Sequence, residues 1–315
     1  MGSRKRPSEY EVVSYKLHYR TRNPQAPYEQ SPNLRMNEWY RKHVFNSPLQ
    51  HPDWDAFRDP DEVTYRAYCT MQDGQEQYVD GLLNAHDNDK HDASLPEAWV
   101  DTLAKIYTPA RYLLAAGQMA SAYLVQMAPA STITNCAVFQ EADCFRWLSR
   151  VAYRTRELAN TYPGKGFTEN ERSYWEDAPE WQGFRELFEK VMATYDWGEC
   201  FVALDVIALP TLDFGFLQPL KTAAQGQGDT LTALLCGNHA RDCQRARRWT
   251  AALVKQSLDV KTNEEVISDW VAKWTPLAEN AIATYCAGLP GGSELATKAS
   301  ASLATFKSEL GIAKD

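Results

Sequence analysis

Between residues 97 and 258 the sequence carries two pairs of long helical patterns. Apolar residues recur at spacings of three and four through 97–127 and 131–161, which meet at Pro129. The same spacing runs through 181–222 and 229–258, which meet at Gln225-Gly226-Gln227-Gly228. A helix with one apolar stripe must bury it against another element, and two helical hairpins do so as a four-helix bundle with a long crossover. Runs of β-branched residues and Asn-Gly turn signals are scarce, so a sheet has little support. The run Phe201 to Leu209 is apolar enough for a buried strand, but its flanks keep the helical period. The expected class is all-α.

The other patterns fit around these hairpins. Asp61-Glu62 opens a helical stretch over 62–86, and Ser94-Leu95-Pro96-Glu97 reads as an N-cap region with proline in the first turn. Pro109 is expected to break or kink 97–127, and Pro210 to stop or kink the stretch 181–209. A short helix is expected over 168–177 and a last full one over 263–287; residues 294–311 form a small-residue tail with weak helical character. The first sixty residues differ. Seven prolines there forbid long helices, yet the segment is too aromatic for a disordered linker. We read it as an ordered, irregular arm with Tyr10, Tyr19, Trp39, Tyr40, Trp54 and Phe57 as anchors, packing on its own domain or wrapping a partner chain. The expected division is an arm over 1–60, a helical domain over 61–287 and a tail over 288–315.

Charge and composition exclude several classes. Lys and Arg number 33 against 41 Asp and Glu, a net charge of −8, which lacks the basic footprint of a nucleic-acid binder. No run of about 18 apolar residues marks a membrane span, and the basic start at Arg4-Lys5-Arg6 has no apolar stretch after it, so a secretory signal is not expected. The seven cysteines are scattered without a C-x-x-C, as in free thiols of a reducing compartment, and the expected location is the cytoplasm.

The second helix of each hairpin carries a similar string. One is Asp143-Cys144-Phe145-Arg146-Trp147; the other is Asp242-Cys243-Gln244-Arg245-Ala246-Arg247-Arg248-Trp249. This arrangement resembles the ferritin-like, ribonucleotide-reductase-like di-iron carboxylate proteins, whose bundles place a Glu on the first helix of each hairpin and Glu-x-x-His on the second. In bacterial oxygenases of that class the second-helix motif reads Asp-Glu-x-Arg-His. With Arg laid on Arg, His falls on Trp147 and Trp249, and Glu falls on Cys144 and Ala246. The first helix over 110–127 holds no carboxylate, and none of the six histidines has Glu three residues before it. Asp205 and Asp213 read as N-terminal or solvent-facing charges, and Trp147 and Trp249 as core filler. The resemblance therefore implies the ferritin-like fold without its di-iron site.

Longer stretches sharpen this. Arg6-Pro7-Ser8-Glu9-Tyr10, Met71-Gln72-Asp73-Gly74-Gln75-Glu76, Gln126-Met127-Ala128-Pro129-Ala130-Ser131-Thr132-Ile133 and Asp196-Trp197-Gly198-Glu199 resemble the hydroxylase β chain of toluene/phenol-type bacterial multicomponent monooxygenases. The similarity runs from about residue 4 to about 287. It implies a non-catalytic chain with no metal or cofactor of its own, in a dimer of αβγ trimers. The di-iron centre is then expected in the α chain, with electrons from NADH through a reductase and a Rieske ferredoxin, and regulation by an effector protein. The hydrocarbon, whether aromatic, alkene or isoprene, is not set by this chain. Rival readings are an independent ferritin-like di-iron oxidase and a free-standing helical adaptor.

Three smaller features invite a role. Arg241, Arg245, Arg247 and Arg248 form either a surface for a partner's carboxylates or a solvated face with acidic partners in the chain. Asp73 and Glu76 could pair on one helix face, and Gly74 beside them suggests close packing against another helix. The short Gly loops at 164–166 and 226–228 match no phosphate-binding motif.

Overall fold

A computed structural model describes residues 6–17 and 35–312. In chain order the helices are α1 (Glu9–Ser14), α2 (Arg35–Tyr40), α3 (Tyr65–Asn88), α4 (Glu97–Thr102), α5 (Ala110–Met127), α6 (Ser131–Thr161) and α7 (Glu171–Asp177). Then come α8 (Pro179–Met192), α9 (Trp197–Phe201), α10 (Leu209–Leu212), α11 (Gln218–Gly226), α12 (Thr230–Ser257), α13 (Thr262–Ala287) and α14 (Gly292–Glu309). No strand occurs among the described residues. Wider π-helical turns extend α2 over Arg41–Phe45 and α4 over Leu103–Tyr107. Two more, Val202–Ala208 and Asp213–Leu217, join α9, α10 and α11 into one rod from Trp197 to Gly226.

The bundle centre is made by α5, α6, the rod and α12. Helices α8 and α13 cover the far side of the rod, and α3 lies across α12. The rod is apolar and long enough to cross a membrane by composition, but 94% of its most apolar window is buried inside the protein. Its hydrophobicity is that of a helix packed on all sides.

The helix boundaries follow local chemistry. Thr64 caps α3 by accepting from the Ala67 amide, and Asp229 caps α12 by accepting from Thr232. The stretch expected as one helix over 181–209 is two. Asp196 accepts from the amides of Gly198 and Glu199, which starts a new helix at Trp197 after the break at Thr194 to Asp196. Pro210 does not stop the rod. Pro210 and Pro219 each occupy the first turn of the α-segment that follows a π stretch, where a missing N–H is tolerated.

Two glycines contrast. Gly74 has nothing within 4 Å of an added Cβ, so close packing does not explain it. Gly183 does sit at a close helix crossing: a Cβ there would lie 2.6 Å from Cα of Ala281, on the backbone of α13. The last helix is firmer than its small-residue sequence suggests. Leu295, Ala299, Leu303 and Phe306 of α14, then Leu310 and Ile312, are buried against α13 and the end of the rod. Packing, not propensity, holds it.

The arm contains the short helices α1 and α2, the residues of each lying between prolines. A capping box of Ser8 and Glu11 starts α1. Ser131 Oγ, at the start of α6, donates to Ser14 O at 2.6 Å and accepts from the Leu17 amide at 3.2 Å, tying the arm to the bundle.

Candidate functional site at the bundle centre

The strings shared by α6 and α12 face each other. Arg146 donates to Asp242, and Arg245 donates to Asp143, so each repeat supplies one acid and one base to the other. Asp143 also accepts from Tyr68 Oη at 2.9 Å and from Gln72 Nε2 at 2.7 Å. Asp242 accepts from Gln72 Nε2 at 3.0 Å and from the Trp147 indole at 2.9 Å. Gln72 of α3 thus bridges the two carboxylates. Farther out, Glu76 accepts from Arg146 at 2.6 Å and from Arg150. Its role is ion pairing with α6, and Asp73 instead holds Gln77 of its own helix.

This reciprocity fixes the register of the repeat and corrects one expectation. Asp143 corresponds to Asp242, Cys144 to Cys243, Arg146 to Arg245 and Trp147 to Ala246. Laying Arg248 on Arg146 placed the second repeat three residues too far along. Cys144, Cys243 and Ala246 all line one central cavity of about 30 Å³, with Gln140 and His239 at a further pair of matching positions. Trp249 lies outside it, its ring 5.7 Å from Phe201, and its indole N–H is buried without an acceptor. The Trp147 ring stacks on His239 at 4.6 Å and 12°, filling the space on its side.

The first helices add little to this centre. Gly117 of α5 faces Cys144; an added Cβ would lie 3.4 Å from its Sγ. Across the cavity, the rod offers Asp205. Neither Asp205 nor Asp213 faces solvent, contrary to the sequence expectation: they are 2% and 1% exposed. Asp213 is paired with Arg247 and accepts from Gln218 at 3.0 Å. Asp205 has no ion-pair partner among the described residues, and Gln140 is the polar side chain that approaches its carboxyl.

Electrostatics follow from this burial. Burial pushes the Asp205 carboxyl well above its ordinary value and the thiols of Cys144 and Cys243 up as well. Burial lowers His239 to about 3, so its imidazole is neutral. Burial and the nearby Asp242 carboxylate raise Asp143 to about 7 against the pull of Arg245. Asp242 is held below the usual carboxylate range: burial opposes this, but Arg146 and Arg245 prevail. A di-iron centre needs several ionised oxygen donors converging with imidazoles. Here the donors are two raised thiols, an aspartate whose carboxyl burial pushes up, one stacked histidine, and the two carboxylates Asp143 and Asp242, which Arg245 and Arg146 already engage. No three His, Cys, Asp or Glu side chains among the described residues are grouped to hold a metal ion. The residues present do not fit the group.

Burial raises the Asp205 carboxyl above its unfolded value of about 3.9, so this residue costs stability as pH rises from there toward its folded value. Asp205→Asn removes that cost. Scanning calorimetry from pH 5 to 8 is expected to show the melting temperature of the native chain falling relative to the variant; a constant difference would mean an ionised Asp205.

The arm anchors divide. Tyr10, Tyr40 and Phe57 are buried within this chain, at 2%, 3% and 1% exposure, so they anchor the arm to its own bundle and have no face left for a partner. Tyr10 Oη accepts from the Asp59 amide at 3.0 Å, and Tyr40 Oη donates to Gln126 O at 3.0 Å. Trp39 and Trp54 are half-buried: Trp39 donates to Tyr123 Oη at 3.0 Å, and Trp54 meets Trp197 edge-on at 4.9 Å. Tyr19 lies outside the described residues. Sequence reasoning missed the ion-paired brace, although its signal was present: Asp-Cys-x-Arg occurs at one spacing in both repeats.

A family model described as Methane/Phenol/Alkene Hydroxylase matches residues 39–261. The chain belongs to this hydroxylase family. Among curated relatives, the β subunit of the hydroxylase component of the toluene-4-monooxygenase system of Ectopseudomonas mendocina is 49% identical over 282 residues, 90% of this chain and 86% of the relative. The oxygenase component DmpL of phenol 2-monooxygenase from Pseudomonas sp. strain CF600 is 25% identical over 258 residues, 78% of this chain and 75% of the relative. A solved structure of toluene 4-monooxygenase with toluene bound in its resting active site contains a similar chain: the TM-score is 0.87 and the identity 48%, over 90% of this chain and 94% of that one. Phenol hydroxylase from Pseudomonas sp. OX1 shares the fold at a TM-score of 0.83 with 20% identity, over 98% of this chain and 91% of that one. The all-α, ferritin-like architecture is that of these hydroxylase subunits.

Proposed function

We propose that this chain is the non-catalytic β subunit of the hydroxylase of a soluble, NADH- and O₂-dependent multicomponent monooxygenase acting on hydrocarbons. The observation that carries the reading is the bundle centre. In a family of hydroxylases, this chain keeps the paired second helices but holds them with the Asp143–Arg245 and Asp242–Arg146 exchange around Cys144, Cys243, Trp147 and Ala246. Such a centre has no donor set for oxygen chemistry; it stiffens a bundle. The 49% identity to a hydroxylase β subunit supports the same role. On this reading the di-iron site and the substrate pocket belong to an α chain, and this chain scaffolds α and γ in an (αβγ)₂ complex. An effector, a Rieske ferredoxin and an NADH reductase complete the system. Seven free cysteines agree with a reducing cytoplasm.

The arm is the natural reach toward α. With its buried tyrosines turned inward, it leaves Val12, Val13 and Leu17 exposed at 60%, 45% and 61%. Exposed apolar groups in a row mark a contact surface. Val12→Asp with Leu17→Asp is expected to weaken assembly of the hydroxylase while leaving the melting temperature of the chain unchanged. Equal recovery of complex with this double variant and with the unaltered chain would remove the arm from the interface.

The decisive experiment is native mass spectrometry with metal analysis on the tagged chain taken from its host grown on a hydrocarbon. The expected species holds two copies each of three chains, with iron in the largest chain alone. A lone chain carrying about two irons would overturn the proposal.

A further inference from the structure

On the surface between α3, α11 and α12 lies a groove of about 460 Å³, lined by Tyr78, Lys221, Gln225, Leu234, Asn238 and Arg241 among others. It resolves the arginine cluster of α12. Arg245, Arg247 and Arg248 are paired with Asp143, Asp213 and Asp61. Arg241 has no carboxylate among the described residues and reaches only Gln75 Oε1, at 3.4 Å. Lys221 likewise has no ion pair among them. Two cations therefore line one groove of a chain whose net charge is −8.

Other features of the groove point the same way. Asn238 is 4% exposed; its amide nitrogen donates to Gln75 Oε1 at 2.6 Å, but its Oδ1 is buried with no donor. A buried acceptor left unpaired is destabilising. Gly237, also lining the groove, stands in mid-helix, where glycine is less favourable than alanine. Packing within the chain does not require it: an added Cβ would meet only the mobile end of Lys221, at 3.7 Å from Nζ. The glycine leaves the backbone of α12 uncovered there. Tyr78 and Leu234 add apolar surface at 47% and 40% exposure.

We propose that this groove receives an acidic, amphipathic segment of another hydroxylase chain. A carboxylate sits between Lys221 and Arg241, and an apolar side chain rests on Tyr78 and Leu234. Opposite charges met in a partly dry groove fix the register of the segment. The proposal rests on the reading that this chain works inside a hydroxylase.

The test treats the intact purified complex with a carbodiimide, which joins a lysine amine directly to a touching carboxylate, and maps the joined peptides by mass spectrometry. The expected product links Lys221 to an Asp or Glu of another hydroxylase subunit, and Lys221→Arg abolishes that link while the complex persists. Charge reversal by Lys221→Glu with Arg241→Glu is expected to raise dissociation of the chain from the complex about tenfold at moderate salt. Both positions are on the surface, and an unchanged melting temperature of the free variant shows that its fold is kept. If the complex forms but Lys221 links only within its own chain, or to a component outside the hydroxylase, the proposal falls alone. If the unaltered chain forms no complex, the hydroxylase reading falls and the proposal with it.

Discussion

Replacing Arg245 with methionine is expected to destabilise the chain by about 3–5 kcal/mol, the cost of leaving a buried charge without its counter-charge. The change strands Asp143, 4% exposed, with Tyr68 and Gln72 as its remaining donors and no cation of its own. Asp143 is already pushed up to about 7 by burial and by Asp242, so in the variant it takes a proton more readily and the loss shrinks as pH is lowered. Adding Asp143→Leu to Arg245→Met removes the stranded group and is expected to restore most of the stability, since a well-packed apolar pair often equals a buried ion pair. Urea unfolding of the four members of this cycle, followed by far-ultraviolet circular dichroism, gives the coupling directly. A loss under about 1 kcal/mol for Arg245→Met would mean that the brace does not hold the repeats together.

Ending the chain at Gly288 is expected to abolish soluble, folded protein. The deletion removes Leu295, Leu303, Phe306, Leu310 and Ile312, each under 9% exposed, and uncovers the faces of α13 and the rod on which they rest. Burying one such side chain is worth about 1.5–3 kcal/mol, and the net stability of a domain is about 5–15 kcal/mol. Leu303→Ala, a milder change, should cost about 2–5 kcal/mol and lower the melting temperature without loss of solubility. A truncated chain that melts within a degree or two of the full one would show α14 to be an appendage.

The sequence made the helical hairpins legible because their period is written over whole helices. The pattern 131–161 matches α6 at both ends, and 263–287 matches α13 to within a residue. It was less clear at the break before Trp197, where one side chain, Asp196, decides the matter by capping two amides. The π-helical turns before Pro210 and Pro219 were invisible, since a widened turn leaves the apolar pattern of a fully buried rod unchanged. At the candidate site, the missing ligands on α6 could be read from residue types alone. The register of α12 could not, because Arg-Trp recurs at Arg248-Trp249 and competes with Asp-Cys-x-Arg; only the contact between Arg245 and Asp143 separates them. The burial of Asp205 and Asp213 also escaped, because a carboxylate in a polar sequence context carries no mark of depth.

The exchange of acid and base between α6 and α12 has an evolutionary consequence. A change at residue 143 is felt at 245, and one at 146 is felt at 242, so the two halves of the chain cannot drift apart independently at these sites. Of the side chains at 144, 147, 243 and 246, Trp147 alone joins the brace, through its indole donating to Asp242. Substitutions at 144, 243 and 246 therefore leave the acid–base exchange in place. The need to stay folded then suffices to hold residues 143, 146, 242 and 245 in step.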